Sequence, residues 1–520
     1  PRAAAAAAGG CSGNGETCHA AQCSPEGYHW PHARGQAGRL GSTEHTGPTD
    51  LASAFAWSWH HPEGRFHTSL KGAPLFDERR NLYLQAVDAL HKFRPDGSHV
   101  WSYHPSVTVP KWNAMMDCPS LHDGAIFGIT VNGYVWGVDL ETGRERWIEK
   151  VYQSHPGQSE AKGGDTGNVD AHDGVVVSAG EIWFKEVVAG AARVTGLNAK
   201  DGKLLWDFRV ETGIWNFAAH FLPAGSHGAE EATVLFQDVA GFVYRLGLHT
   251  GRLIWKSEGG KLGCWTDGSL NVGPNGLAYS VSVHGNLFHG PGNVGGPDLP
   301  GYVFATNIST GKLSWQATVP RPPNSMPVLL PPQRPGRRLS VVLPIGQQAG
   351  VPPKWQEMLN SWDWQRGTTT DWSAWAWHKL SILLGDWSQH LWHHPTLPNN
   401  IVSLDAETGM PNWQWEGPRY RRPAAAGDEE GLMDRLMEGK MFGCLPCPWG
   451  YPATDAAGTV YVGNQDGKLY ALRESGTDSG LTVVSTFDMK ACFLCGSGGV
   501  TFAPGLMAVA TCDTLFVFRT

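Results

Sequence analysis

A glycine and a tryptophan recur at one fixed spacing along this chain, and this repeat constrains the fold more than any other feature. In each copy a short apolar stretch leads into a tight turn that ends in Gly, and Trp follows four residues later. The pairs are Gly97 with Trp101, Gly143 with Trp147, Gly202 with Trp206, Gly251 with Trp255, Gly311 with Trp315 and Gly409 with Trp413. Because the same spacing recurs so often, we expect each copy to build the same structural unit.

Each copy is typical of a strand, a turn and a second strand. In VDLETGRERW (138–147) and LNAKDGKLLW (197–206) the glycine allows the positive φ of a tight hairpin, and the alternation before it puts every second side chain on one face. The tryptophan then stands at a fixed place on the second strand, where its large surface can pack between neighbouring sheets. The repeat therefore predicts equivalent, buried structural tryptophans at Trp101, Trp147, Trp206, Trp255, Trp315 and Trp413.

Further apolar stretches between these copies give each unit about four strands, and two more units, 459–475 and 506–520, keep the pattern without the tryptophan. The last unit ends after its third strand, whereas FAWSW (55–59) is a strand without a neighbour in its own unit. A strand from the N-terminus that completes the last sheet would remove an exposed edge and hold both ends of the chain. The sequence therefore predicts an all-β, eight-bladed propeller over residues 51–520, closed by this N-terminal strand.

Composition agrees with this fold and argues against some classes of partner. The chain has 66 Gly, 35 Pro and 24 Trp with only 17% charged residues, which is typical of short strands joined by many turns. The net charge of −8 and the scattered Lys and Arg argue against a nucleic-acid partner. No apolar stretch approaches the roughly 18 residues of a membrane-spanning helix, which leaves peripheral membrane association open. The ten cysteines permit disulfides and favour an organelle lumen, a secreted protein or a periplasm-like compartment.

Three segments depart from the repeat. Residues 1–50, rich in Ala, Gly, Ser and His, predict an irregular or disordered extension, and insertions are expected at about 320–398 and 417–443. The first insertion carries eight tryptophans between 355 and 392, which could pack on the propeller as a lid or bind a partner. Since tryptophan is enriched at interface hot spots, we interpret six of them as a partner-binding surface: Trp362, Trp364, Trp372, Trp375, Trp387 and Trp392.

The Gly-x-x-x-Trp units resemble the repeats of the pyrroloquinoline-quinone (PQQ)-like, quinoprotein alcohol dehydrogenase-like superfamily, over residues 51–520 apart from the insertions. The resemblance implies an eight-bladed propeller. Its members include quinoprotein alcohol dehydrogenases, which hold the quinone and a calcium ion on the propeller axis, and cofactor-free assembly factors that bind other proteins. The resemblance therefore does not decide whether the chain is an enzyme.

The catalytic residues of the dehydrogenases are incompletely matched. In VVVSAGEIW (175–183), Glu181 stands where the resemblance implies a calcium-binding glutamate, but Val283 or His284 falls where an asparagine ligand is implied. The chain has no adjacent Cys-Cys pair, and no catalytic aspartate can be assigned. We therefore expect a non-catalytic, cofactor-free propeller that serves as a binding or scaffold subunit with other proteins. The alternative is a PQQ- and calcium-dependent alcohol dehydrogenase, in which hydride passes from an alcohol to the quinone.

Two short cysteine motifs form a second candidate site. Cys444 and Cys447 form one C-x-x-C motif, and Cys492 and Cys495 form another, before comparable strands of two adjacent units. Four thiolates could hold zinc tetrahedrally, but disulfides or buried thiols fit the same spacing. These alternatives stay open at the level of sequence.

Overall fold

The computed structural model is an all-β ring of eight four-stranded antiparallel sheets, which confirms the predicted propeller. It describes residues 26–38, 41–64, 67–109, 118–152, 169–180, 192–214, 216–264, 266, 268–284, 299–346, 362–363, 368–369, 372, 375–376, 398–419, 448–475, 480–490 and 499–520. All structural statements below concern these residues.

The strands follow one another blade by blade. A short helix, α1 (Leu51–Ala54), and β1 (Phe55–His60) come first. Blade 1 is formed by β2 (Leu70–Phe76), β3 (Leu82–Ala86), β4 (Leu90–Phe93) and β5 (His99–Tyr103). Blade 2 is formed by β6 (Ser120–His122), β7 (Ala125–Ile129), β8 (Tyr134–Asp139) and β9 (Glu145–Lys150). Blade 3 is formed by β10 (Val169–His172), β11 (Val175–Gly180), β12 (Arg193–Asn198) and β13 (Leu204–Arg209). Blade 4 is formed by β14 (His220–Leu222), β15 (Thr233–Gln237), β16 (Val243–Gly247) and β17 (Leu253–Lys256).

The second half of the ring repeats this order with one interruption. Blade 5 is formed by β18 (Asn271–Val272), β19 (Leu277–Val283), β20 (Gly301–Asn307) and β21 (Leu313–Val319). Blade 6 is formed by β22 (Val328–Leu330), β23 (Ser340–Gly346), β26 (Asn399–Asp405) and β27 (Pro411–Glu416), with the hairpin β24 (Trp362–Asp363) and β25 (Thr368–Thr369) in between. Blade 7 is formed by β28 (Ala453–Thr454), β29 (Val460–Gly463), β30 (Lys468–Glu474) and β31 (Leu481–Asp488). Blade 8 is formed by β32 (Val500–Ala503), β33 (Leu506–Ala510), β34 (Thr514–Arg519) and the N-terminal β1.

The first insertion begins later than the sequence predicted. Residues 328–330 and 340–346, inside the expected insertion of about 320–398, are β22 and β23 of blade 6. The proline-rich stretch from Pro320 led to the prediction of a linker instead of strands, but β23 contains Pro344. The insertion therefore joins the second and third strands of one blade and starts after Gly346.

The N-terminal strand closes the ring as predicted. β1 pairs antiparallel with β34, with Trp59 opposite Leu515 and His60 opposite Thr514. This strand supplies the outer edge of blade 8, which the C-terminal strands alone leave incomplete. Hydrogen bonding between the two ends of the chain thus joins the last blade to the first part of the sequence.

The repeat tryptophans lie between neighbouring blades. Trp147, Trp206 and Trp413 are 6–8% exposed, whereas Trp101, Trp255 and Trp315 are half-buried. Four indole N–H groups donate to the next blade at 2.7–3.0 Å: Trp147 to Ala199 O, Trp206 to Leu248 O, Trp255 to Ile308 O and Trp315 to Ala406 O. Each tryptophan therefore connects its own blade to the following one.

The glycine and the tryptophan of the repeat meet across blades and not within one unit. A methyl carbon placed on Gly251 of blade 4 would lie 2.7 Å from the ring of Trp206 of blade 3. The same close approach, at 2.5–2.9 Å, joins Gly143 to Trp101, Gly202 to Trp147, Gly311 to Trp255 and Gly409 to Trp315. The glycine of each turn is thus the surface on which the preceding blade's tryptophan packs, which explains why the two residues repeat together.

The same contact closes the ring through a tryptophan that the repeat did not reveal. Trp57 of β1 donates its indole N–H to Pro95 O at 3.1 Å and packs on Gly97 of blade 1, where a methyl carbon would lie 2.9 Å from the ring. Trp57 escaped the sequence pattern because no glycine stands four residues before it. Blade 8 is therefore attached to blade 1 by the same tryptophan–glycine contact that attaches blades 1 to 5 to the blades that follow them.

Candidate functional site

Residues 26–38 and 41–48 run through the centre of the ring, and we call residues 26–48 the axial segment. The first strands β6, β14, β22 and β32 are fully buried, and β10 is buried except for His172, whereas a last strand such as β31 alternates between exposed and covered residues. The first strands therefore line the axis, and their inner edges have no neighbouring strand. The axial segment contacts these inner strands.

Main-chain hydrogen bonds attach the axial segment to the inner edges. Trp30 and Phe76 of β2 exchange two such bonds, each 3.1 Å long. The other bonds run from Leu121 N to Pro31 O at 2.8 Å, from Phe221 N to Ala37 O at 3.1 Å, from Thr43 N to Thr454 O at 3.0 Å and from Thr454 N to Gly41 O at 2.7 Å. These partners belong to blades 1, 2, 4 and 7, so the segment satisfies polar groups that a buried, unpaired edge would leave without partners.

Three large side chains of the axial segment are buried among the blades. Trp30 is 2% exposed and its ring centre lies 5.9 Å from that of Phe502 in blade 8. Arg34, also 2% exposed, has its guanidinium carbon 3.0 Å above the ring of Tyr451. His32 is equally buried and contacts blades 2 and 3.

The His32 contacts combine residue types that occur in hydrolases. Nδ1 of His32 lies 2.7 Å from Ser120 Oγ and 3.8 Å from Asp170 Oδ1. A Ser-His-Asp relay needs the two partners on different ring nitrogens, whereas here both face the same one. Ser120 is fully buried and its Oγ also accepts the Ala171 N–H at 3.0 Å. The group therefore anchors the axial segment and is not arranged for nucleophilic catalysis.

The beginning of the axial segment is held at one end of the axis. His122 Nδ1 lies 2.8 Å from Glu26 Oε1, and the Gly124 N–H donates to the Tyr28 hydroxyl at 2.9 Å. Burial raises the pKa of the Tyr28 hydroxyl to about 12, so this group stays protonated at neutral pH. Both contacts lie at the turn between the first two strands of blade 2.

The aromatic insertion is the second candidate site. Trp372 is 76% exposed and Trp375 is 47% exposed, and within the described ranges no other tryptophan is so accessible. Trp362 begins β24, and Trp364, Trp387 and Trp392 lie outside the described residues. The side chains of Trp372 and Trp375 are thus open to solvent.

The residues implied for a calcium site are not brought together in the part of the chain that is described. Val283 is buried in β19, and His284 Nδ1 lies 2.9 Å from the Tyr302 hydroxyl, so this position supplies no carboxylate or amide oxygen. Glu181 lies outside the described residues. Among those that are described, no group of three or more His, Cys, Asp or Glu side chains is arranged to hold a metal ion.

The candidate zinc or disulfide residues Cys444, Cys447, Cys492 and Cys495 also lie outside the described ranges. One other cysteine, Cys512 beside β34, is disulfide-bonded. No helix in the described parts of the chain is long and apolar enough to cross a membrane.

A groove of about 410 Å³ lies off the axis, between blades 2 and 3. Arg193 and Asp207 in its wall form an ion pair with each other, and the Tyr152 hydroxyl bonds to Thr195 Oγ1 at 2.7 Å. Lys150 also donates to Asn132 O at 2.6 Å, so three of the charged groups that line this groove bond to other groups of the protein.

Comparison with known proteins agrees with the fold. The sequence model of the family described as outer membrane protein assembly factor BamB matches residues 80–261 and 172–414, which together span more than half of the chain. BamB from Moraxella catarrhalis is similar in structure, with 14% identity, a TM-score of 0.51, and coverage of 90% of this chain and 97% of that one.

The structures of two dehydrogenases are about as similar to this chain as that of BamB. The quinohemoprotein alcohol dehydrogenase of Comamonas testosteroni has 12% identity and a TM-score of 0.56, with 94% of this chain and 80% of that one covered. A europium-containing methanol dehydrogenase has 11% identity and a TM-score of 0.53, with 94% and 98% covered. No curated protein sequence matches the chain. At these identities the structural likeness shows the fold and leaves the activity open.

Proposed function

The chain belongs to the PQQ-like repeat family described as outer membrane protein assembly factor BamB, and on that basis we propose that it is a non-catalytic propeller that acts as a protein-binding or scaffold subunit of a larger assembly. One observation carries the proposal: the axis of the ring is filled by the chain's own axial segment. In the dehydrogenases that the repeat resembles, the axis is where the quinone and calcium are held.

The burial of the axial segment supports the absence of an axial cofactor. Trp30, His32 and Arg34 are each 2% exposed and contact the inner parts of blades 8, 2, 3 and 7. A flat quinone on the axis would have to displace these side chains. The residues described at the implied asparagine position, Val283 and His284, do not fit a calcium ion either, because a hard cation prefers oxygen ligands.

The partner surface of the proposal is the insertion after Gly346. A tryptophan side chain can bury about 150–250 Å² in a contact. Removing two such exposed side chains from water by binding another protein is therefore favourable. Trp372 and Trp375 are the described members of this surface, which we extend to Trp362, Trp364, Trp387 and Trp392 of the same insertion. The partner is expected to be a protein with an apolar pocket or groove that accepts these rings.

We also propose a compartment outside the cytosol. The disulfide at Cys512 supports an oxidising environment, since structural disulfides are rare in reducing compartments. The description of the matched family as an outer membrane assembly factor agrees with an envelope location.

The proposal can be tested by site-specific crosslinking in the native host. A photoreactive phenylalanine analogue replaces Trp372 or Trp375 in the full chain, and a matched control carries it at Leu204, which is 60% exposed but lies in blade 3. We expect one discrete protein adduct from positions 372 and 375 and none from position 204. Equal or absent crosslinking at all three positions would contradict the partner surface.

The dehydrogenase alternative predicts a bound chromophore. An ultraviolet-visible spectrum and a metal analysis of the protein purified from its native host would reveal a quinone and calcium in equal amounts with the chain. Under the scaffold proposal the spectrum contains only the aromatic absorption of the protein.

A further inference from the structure

The ring is complete without the axial segment. Each blade has its four strands, and β1 closes blade 8 through its pairing with β34. The axial segment contributes only isolated bridges, such as Trp30 with Phe76 and Ser42 with Thr454. It is therefore an addition to the fold and not one of its sheets.

The inner edges of the blades provide the main-chain part of a binding site. An edge strand presents N–H and C=O groups that can pair with an extended chain, as in peptide recognition by strand addition. Phe76, Leu121, Phe221 and Thr454 use these groups on the axial segment, at 2.7–3.1 Å. Because the four residues belong to different blades, the site follows the circumference of the axis and binds an irregular segment that turns between its contacts.

The ring also provides side-chain contacts that select particular residues. Asp170, fully buried, and Ser120 face His32, and the ring of Tyr451 stacks on Arg34. Farther along, Asp455 Oδ2 accepts the Gly47 N–H at 2.9 Å. The ring thus meets one histidine with a hydroxyl and a carboxylate, the arginine with an aromatic face, and a main-chain N–H with a second carboxylate.

We propose that the axis of this propeller is a peptide-binding site whose ligand is the chain's own residues 26–48. The site takes an irregular segment with an aromatic, a histidine and an arginine side chain close together, and it binds this segment through these side chains and through main-chain hydrogen bonds to the inner edges. This site is separate from the aromatic insertion, and it shares with the scaffold proposal the observation that the axial segment lies on the axis.

The test cuts the covalent link between the axial segment and the ring and leaves the segment in place. A protease recognition sequence is inserted after Thr49, where Thr49 and Asp50 are exposed, and the purified full chain is cleaved there. The fragment that contains residues 26–48 is expected to stay bound during size-exclusion chromatography. A fluorescently labelled peptide of residues 26–48 should then exchange with it, which raises the anisotropy of the label.

Variant peptides test the side-chain contacts. Because His32 bonds to buried polar groups, the His32→Ala peptide should bind about tenfold more weakly or worse. The Thr46→Ala peptide is the matched control, since Thr46 is exposed, and it should bind like the parent.

Three results would overturn the proposal. If the fragment leaves at once while the ring keeps its circular dichroism spectrum, the axis does not bind it. If cleavage unfolds the ring, or no peptide exchanges at any temperature below unfolding, the segment is part of the core and not a ligand. If both variant peptides bind equally, the side-chain contacts do not select the sequence.

Discussion

Replacing Gly251 by alanine tests the contact that joins neighbouring blades. Gly251 has a φ of 64° and carries the ring of Trp206, which is 7% exposed and donates its N–H to Leu248 O at 2.7 Å. An alanine methyl group would lie 2.7 Å from two atoms of that ring, which is closer than carbon atoms approach in folded proteins. The buried ring must move, since a backbone turn and a rigid indole form the contact.

The expected cost can be divided into parts. The left-handed backbone conformation of an alanine costs about 1 kcal/mol, and the overpacked ring costs about 1–3 kcal/mol more. Weakening of the indole hydrogen bond adds up to about 1 kcal/mol. We expect Gly251→Ala to lower the free energy of unfolding by about 3 kcal/mol.

Gly225 offers a matched control. Its φ is 78°, but no atom lies within 4 Å of a methyl group placed on it. Gly225→Ala therefore has the backbone cost alone, about 1 kcal/mol. Urea unfolding followed by far-ultraviolet circular dichroism measures both variants without altering any tryptophan.

A double-mutant cycle identifies the cause. In a Trp206→Ala background the clash is absent, so Gly251→Ala should cost only about 1 kcal/mol there. Equal destabilisation by Gly251→Ala and Gly225→Ala, or an unchanged cost in the Trp206→Ala background, would refute the blade-to-blade contact as the reason for the glycine.

Other predictions follow from the closing strand, a buried histidine and the insertion. Trp57→Phe removes the indole bond to Pro95 O and should cost about 1 kcal/mol; amide hydrogen exchange should then accelerate in β1 and β34, and unchanged exchange would argue against the closing role. Burial lowers the pKa of His91 from 6.5 to about 4, so neutral His91 contributes fully to stability above pH 6.5. As the pH falls from 6.5 towards 4, the free energy of unfolding should decrease by about 3 kcal/mol, because the unfolded chain binds a proton that the folded chain does not. His91→Phe should make the urea midpoint less dependent on pH over that range, and an unaltered pH profile would contradict this. Trp372→Ser with Trp375→Ser should change the free energy of unfolding by less than about 0.5 kcal/mol, because both rings are exposed; a larger loss by the same urea assay would show that they pack on the protein.

The blades could be predicted because their signals are local. A turn glycine and a tryptophan four residues later are fixed by one hairpin, and the hairpin recurs in each unit. The closing strand could be predicted as well, since the last unit lacked a strand and residues 55–59 had no other partner. The sequence could not show that Gly251 meets Trp206 and not its own unit's Trp255, because that pairing depends on how blades pack.

The places where the structure differs from the predicted repeat have physical causes. Trp255 and Trp315 are half-buried although they keep their hydrogen bonds to the next blade, so the repeat predicted the position of the ring better than its burial. At the first junction, Leu140 O accepts Lys92 Nζ at 2.7 Å, and the N–H of Trp101 has no hydrogen-bond partner among the described residues. At this junction the lysine thus replaces the main-chain contact that Trp147, Trp206, Trp255 and Trp315 make in their copies of the repeat.

The axial segment shows where prediction from sequence ends. Its composition predicts irregular structure, and residues 26–38 and 41–50 contain turns, bends and single bridges before α1 begins. Composition alone, however, equates irregular structure with exposure, whereas the buried state of Trp30, His32 and Arg34 depends on partners that are distant in the chain. Gly47, for example, bonds to a carboxylate 408 positions away.

A ring of blades explains why such a segment becomes ordered. Eight inner strands converge on one axis, and each brings an edge whose polar groups need partners away from bulk water. Regular sheet structure cannot continue across the axis, since the edges point towards one another at different angles. An irregular chain can bond to Phe76, Leu121, Phe221 and Thr454 in turn, because its direction changes between contacts. The lack of regular structure in this segment is therefore what allows it to bind a circular site. A segment without regular structure has no repeating pattern of apolar residues, so its place in the fold cannot be predicted from such a pattern.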